Sequence, residues 1–95
     1  MDIATLFVSQ RGLKRQEQLP ARVEAILQGV LLEPIRLSEA EDGSVQIDDG
    51  HHRVVAYWLC GQTRLEPHQY ILMLTDKPRV RLGRVPDLLR RVGLR

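Results

Sequence analysis

The sequence predicts a small α+β domain in which helices pack on a mixed sheet, and three observations lead to it. Leu19, Val23, Ile26, Leu27 and Val30 recur at helical spacing. Ile35 and Leu37, and later Val45 and Ile47, alternate with polar residues on either side of an acidic, glycine-containing turn, the pattern of a strand pair. The elements follow one another as strand, helix, strand, strand, helix, strand, helix, which suits helices laid on one small sheet. A chain of 95 residues can bury one hydrophobic core and not two, so residues 1–95 are expected to form a single domain.

Each element has its own signal. Ile3 to Val8 is β-branched and apolar enough for a short strand, and the polar connection Ser9 to Gln18 that follows carries Arg11, Lys14 and Arg15. Pro20 fits the first turn of the next helix and Gly29 its stop. Asp49-Gly50 ends the second strand of the pair. The uniformly apolar run Val54 to Cys60, closed by Gly61, reads as a buried helix. Tyr70 to Leu74 reads as a buried strand and Val80-Arg81-Leu82 as a short extended piece. Pro86 opens a last helix with Leu88, Leu89 and Val92 on its apolar side and Gly93 past its end.

Composition narrows the class. Apolar residues make up 43% and charged residues 27%, ordinary globular usage. No apolar run reaches the ~20 residues of a membrane helix, and Met1-Asp2-Ile3 lacks the basic, apolar opening of a signal peptide, so a cytoplasmic protein is expected. Cys60 has no cysteine partner and is expected to act as a small buried hydrophobe. Net charge is only +2, but unevenly spread: Lys77, Arg79, Arg81, Arg84, Arg90, Arg91 and Arg95 crowd the last 20 residues, and five acids without a base fill Glu39 to Asp49. Such a basic end can attract nucleic acid or another anion, or can be a solvated surface.

The junction Ile47 to Arg53 is the most informative stretch. A glycine where a strand turns into a helix allows a backbone path closed to other residues. The first helical turn then offers unpaired N–H donors and the positive end of the helix dipole to a phosphate. Gly50, His51, His52 and Arg53 are therefore the candidate phosphate-binding residues, Arg53 as a two-pronged donor and His52 as a further one. The alternative is structural: a turn glycine, a packed histidine, and an arginine paired with Asp48 or Asp49.

The series Leu19-Pro20, then Gly29-Val30-Leu31-Leu32-Glu33-Pro34-Ile35, then Asp42-Gly43, then Ile47 to Arg53 and an apolar helix ending at Gly61 resembles the N-terminal domain of ParB proteins. The same stretch resembles sulfiredoxin, as does the closing segment Val80-Arg81-Leu82-Gly83 with Pro86-Asp87-Leu88. The resemblance implies a ParB/sulfiredoxin-like fold whose turn Gly50 to Arg53 faces nucleotide phosphates, with ATP or another nucleoside triphosphate and magnesium as cofactors. His51 stands where sulfiredoxin has its catalytic cysteine, which speaks against sulfinic acid reduction, and Cys60 lies ~13 Å further along a helix. The turn Asp-Gly-His-His-Arg also resembles the free serine kinases. In that branch a glutamate before the first hairpin strand serves as base, and Glu33 lies in a comparable place. Glu33 is thus the candidate proton acceptor in a phosphotransferase or phosphohydrolase, with Asp48 or Asp49 as an oxygen ligand to a divalent cation.

His51 is the other candidate catalytic residue, because an imidazole nitrogen can accept a phosphoryl group. His51, His52 and His68 do not have zinc-ligand spacing, so no protein-held metal site is expected. With Phe7, Tyr57, Trp58 and Tyr70 as the aromatic residues, a base-stacking single-strand binder is disfavoured. The competing reading is a non-catalytic DNA- or protein-interaction module acting through the basic stretch 77–95, with a ParB-like nuclease between the two. Small size and a Leu-rich ending make a homodimer an expectation.

Overall fold

The computed structural model describes residues 1–77 and 81–94. Among these residues three helices and three strands appear in the order α1 (Leu19–Leu27), β1 (Ile35–Glu39), β2 (Val45–Asp49), α2 (His51–Leu59), β3 (Tyr70–Leu74) and α3 (Val85–Arg91), with short 3-10 turns at Ile3–Thr5 and Gln16–Gln18 before α1 and at Pro67–Gln69 before β3. The strands form a mixed sheet in the order β2-β1-β3. β1 and β2 pair antiparallel, Leu37 opposite Ile47 and Glu39 opposite Val45, while β1 and β3 run parallel from Ile35 opposite Tyr70 to Glu39 opposite Leu74. This is the small α+β architecture that the alternation and helical spacing predict.

The alternating side chains explain the core. Ile35, Leu37 and Ile47 point inward from the sheet, Val54, Val55, Ala56 and Tyr57 from α2, and Val85, Leu88 and Leu89 from α3; all are buried. Each fully buried aliphatic side chain is worth about 1.5–3 kcal/mol relative to exposure. α1 packs against α2 through Leu19, Val23 and Ile26 and ends at Leu27, with Gly29 in the left-handed region at φ 81°. Leu27 and Val30, expected on the apolar face, are instead 71% and 52% exposed, because the helix stops before Val30 and Leu27 falls off its buried stripe.

Three expectations are corrected. Ile3 to Val8 is not one strand: Asp2 accepts the Ala4 N–H and closes a 3-10 turn over Ile3–Thr5. Only the following residues run extended, Phe7 bridging Gln46 on one side and Arg84 on the other. The Tyr70–Leu74 strand exists but is not buried, since Ile71, Leu72, Met73 and Leu74 are all exposed. Arg81 and Leu82 belong to no regular element, and Val80 lies outside the described residues.

Candidate functional site

Gly50 has φ 107° and is the N-cap of α2. A Cβ there would come within 3.1 Å of an Arg53 guanidinium nitrogen and 3.2 Å of Ile35, so both conformation and space call for glycine. The tight reversal lets β2 run straight into α2. No side chain caps the helix, and its first internal bond is from the Val54 N–H to the Gly50 carbonyl at 2.9 Å. The N–H groups of His51, His52 and Arg53 are thereby left for solvent or a ligand.

The two histidines have separate tasks. His51 is 1% exposed, and its Nε2 accepts the Ser9 backbone N–H at 3.0 Å. The Ser9 hydroxyl is committed to the Ile47 carbonyl at 2.7 Å. A neutral ring that accepts at Nε2 carries its proton on Nδ1, and Nδ1 is buried without a hydrogen-bond partner among the described residues. Burial, with the adjacent His52 adding to it and Asp49 and Asp48 opposing, pushes the His51 pKa down to about 4. His52 is half-buried and accepts the Arg15 backbone N–H at 3.0 Å. Its pKa is lowered by burial first and then by Arg22 and Arg15, with Glu17 opposing.

Together the histidines tie the connection Ser9 to Arg15 onto the first turn of α2. Ser9 to Lys14 line a concavity of about 510 Å³, with Arg11 and Lys14 exposed among them and Arg15 exposed next in the chain. The end of α3 braces it from behind: Arg91 donates to the Arg11 carbonyl at 2.9 Å, and Gln16 donates to the Val92 carbonyl at 3.1 Å.

Arg53 is turned to a different task from the one expected. Its guanidinium donates to the carbonyls of Glu33 at 2.7 Å and Pro34 at 3.1 Å, and to Asp49 at 3.3 Å. Its side chain is only 11% exposed. It fixes the segment entering β1 to the helix start. Glu33 stands with its carboxylate 93% exposed, 4.0 Å from Arg53, so the candidate base and the candidate phosphate turn are neighbours. Asp49 faces Arg53, whereas Asp48 accepts from Gln46 and lines a larger, separate concavity with Glu39, Glu41 and Asp76. Among the described residues no group of three or more His, Cys, Asp or Glu side chains is placed to hold a metal ion.

The basic end is partly engaged: Arg84 lies over the Phe7 ring at 4.8 Å, and Arg90 pairs with Asp87. Arg79 and Arg95 lie outside the described residues. Cys60 is half-buried, donating to the Val23 carbonyl at 3.7 Å, and burial raises its pKa. No helix among the described residues is long and apolar enough to cross a membrane.

No protein-family model, curated protein or solved structure matches this chain. Sequence reasoning overlooked Ser9 and Arg15 as members of the site. The only signal was a cluster of three basic residues in a polar connection, and contact with residues 42 and 37 positions away is invisible in a single sequence.

Proposed function

We propose that this chain is a ParB/sulfiredoxin-like phosphate-binding domain, and that its ligand is a nucleoside triphosphate carried with magnesium. The observation that supports this most is the basic loop Ser9 to Arg15, held by His51 and His52 against the uncapped first turn of α2. Free N–H donors and a helix dipole open α2, and the loop tied to that turn carries the exposed cations Arg11, Lys14 and Arg15, groups whose chemistry suits phosphate. The lone Nδ1 donor of His51 adds an unpaired group in the residue that opens the helix. The residues fit phosphate better than they fit a metal, so magnesium would arrive on the nucleotide, with Glu33 or Asp49 as an oxygen ligand.

Glu33 supplies the chemistry in this reading. Its exposed carboxylate takes the proton of an acceptor hydroxyl or water as the terminal phosphoryl group passes to that oxygen, and the nucleoside diphosphate leaves. His51 has its Nε2 occupied by Ser9 and serves in positioning the loop rather than as the nucleophile.

Calorimetry with ATP, CTP and ADP, each with magnesium, and with inorganic phosphate tests the reading. Triphosphates should bind more tightly than ADP, and ADP more tightly than phosphate. Replacing Lys14 and Arg15 together by glutamate should weaken triphosphate binding at least tenfold while leaving the circular dichroism spectrum unchanged. The His52 ring protons, followed by NMR, should titrate at higher pH when a triphosphate is bound, since an anion offsets Arg22 and Arg15. Absence of heat with every one of these ligands at millimolar concentration would refute the proposal.

A further inference from the structure

β3 combines features that a sheet edge seldom leaves uncovered. Tyr-Ile-Leu-Met-Leu contains no charge, proline or glycine, and Ile71, Leu72, Met73 and Leu74 are 42%, 38%, 62% and 83% exposed. The opposite edge of the sheet is covered, because the Phe7 N–H donates to the Val45 carbonyl and the Phe7 carbonyl accepts from Ile47. β3 pairs with β1 on one side and, among the described residues, with no strand on the other. A long apolar edge with unpaired backbone groups is a template for another strand.

The existing hydrogen bonds fix which groups are on offer. The Thr75 N–H donates to the Glu39 carbonyl at 2.9 Å, and in the parallel register Glu39 lies opposite Leu74. By alternation Ile71, Met73 and Thr75 direct their backbone toward β1, while Tyr70, Leu72 and Leu74 direct theirs to the open edge. An antiparallel second copy centred on Leu72 sets Leu72 opposite its own mate and Tyr70 opposite Leu74. Each of these pairs exchanges both N–H···O bonds, so every outward backbone group of the strand is satisfied.

The side chains of the strand itself suit the same register. Ile71 meets Met73 on one face, and the leucines and Tyr70 meet on the other. We infer that the chain forms a two-fold dimer by antiparallel pairing of β3 with its own copy, making one continuous sheet across the two subunits. The expectation of a dimer through the Leu-rich ending gives way here, because Leu88 and Leu89 are buried within the subunit.

Sedimentation and light scattering of the purified chain should give twice 10.9 kDa across the micromolar range. Leu72→Lys, which sets two like charges side by side on the two-fold axis, should yield a folded monomer, as should Leu74→Pro, which removes only an outward donor. In a Cys60→Ser background, Leu72→Cys should oxidise to a disulfide-linked dimer, since hydrogen-bonded antiparallel pairs place Cα atoms about 5.5 Å apart. Leu31→Cys, on a different exposed apolar residue, should not. A monomeric parent protein, a dimer that survives both edge substitutions, or cross-linking through Leu31 in place of Leu72 would each overturn the inference.

Discussion

At Gly50 a single residue decides whether strand and helix can join. Alanine would sit at φ 107° with its Cβ about 3.1 Å from Arg53, so Gly50→Ala should cost about 1–3 kcal/mol, read from urea unfolding. His51 gives a second prediction at this scale. Its folded pKa of about 4 lies below the ordinary value near 6.5, so between these limits the unfolded chain binds a proton that the folded chain refuses. Its stabilising contribution is complete above pH 6.5 and declines as pH falls toward 4, by up to about 3 kcal/mol. The melting temperature of the parent should drop between pH 7 and pH 5, and His51→Gln, which can still accept the Ser9 N–H, should flatten that drop. An unchanged slope in the variant would mean another group carries the dependence.

Between elements, the decisive contacts are side chains reaching backbone carbonyls and amides. Arg53 ties the approach to β1 onto α2 through the carbonyls of Glu33 and Pro34. Arg53→Ala should therefore loosen the fold by about 1–3 kcal/mol, with faster amide exchange at the start of β1, whatever it does to ligand binding. Lysine, a point charge without the planar fork, should recover only part of that loss. The variant that isolates ligand binding is the one at Lys14 and Arg15, whose exposed side chains make no hydrogen bond or ion pair among the described residues; its stability should stay within about 0.5 kcal/mol of the parent. Near α3 the same logic holds at Gly83, with φ 93° and an alanine Cβ 2.8 Å from Asp87, whose carboxylate accepts the Arg84 N–H. Gly83→Ala should disturb that cap and shorten or fray α3, seen as weaker helical circular dichroism.

Over the molecule as a whole, charge is segregated. The loop bearing Arg11, Lys14 and Arg15 is braced by the end of α3, which carries Arg90 and Arg91, while Glu39, Glu41, Asp48 and Asp76 line the concavity beside the β1–β2 turn. A net charge of +2 conceals this polarity. Anion binding at the loop should weaken as salt is raised from low to physiological ionic strength, because exposed cations are screened over about 8–10 Å. Measuring triphosphate affinity against sodium chloride concentration checks it, and salt-independent affinity would point to a buried site elsewhere.

Read alone, the sequence determined the hairpin, the glycine-led entry to α2 and the proline-led starts of α1 and α3, because each rests on local backbone preference or on spacing along a few residues. It also singled out Gly50 to Arg53 as the turn of interest. Only the tertiary structure decided what those side chains do. That His51 and His52 accept amides from Ser9 and Arg15, that Arg53 reaches back to Glu33 and Pro34, and that β3 stands at the edge are matters of long-range packing, for which a residue's own neighbours in the chain carry no signal. An apolar run looks the same in sequence whether a helix covers it or the fold leaves it at an open edge.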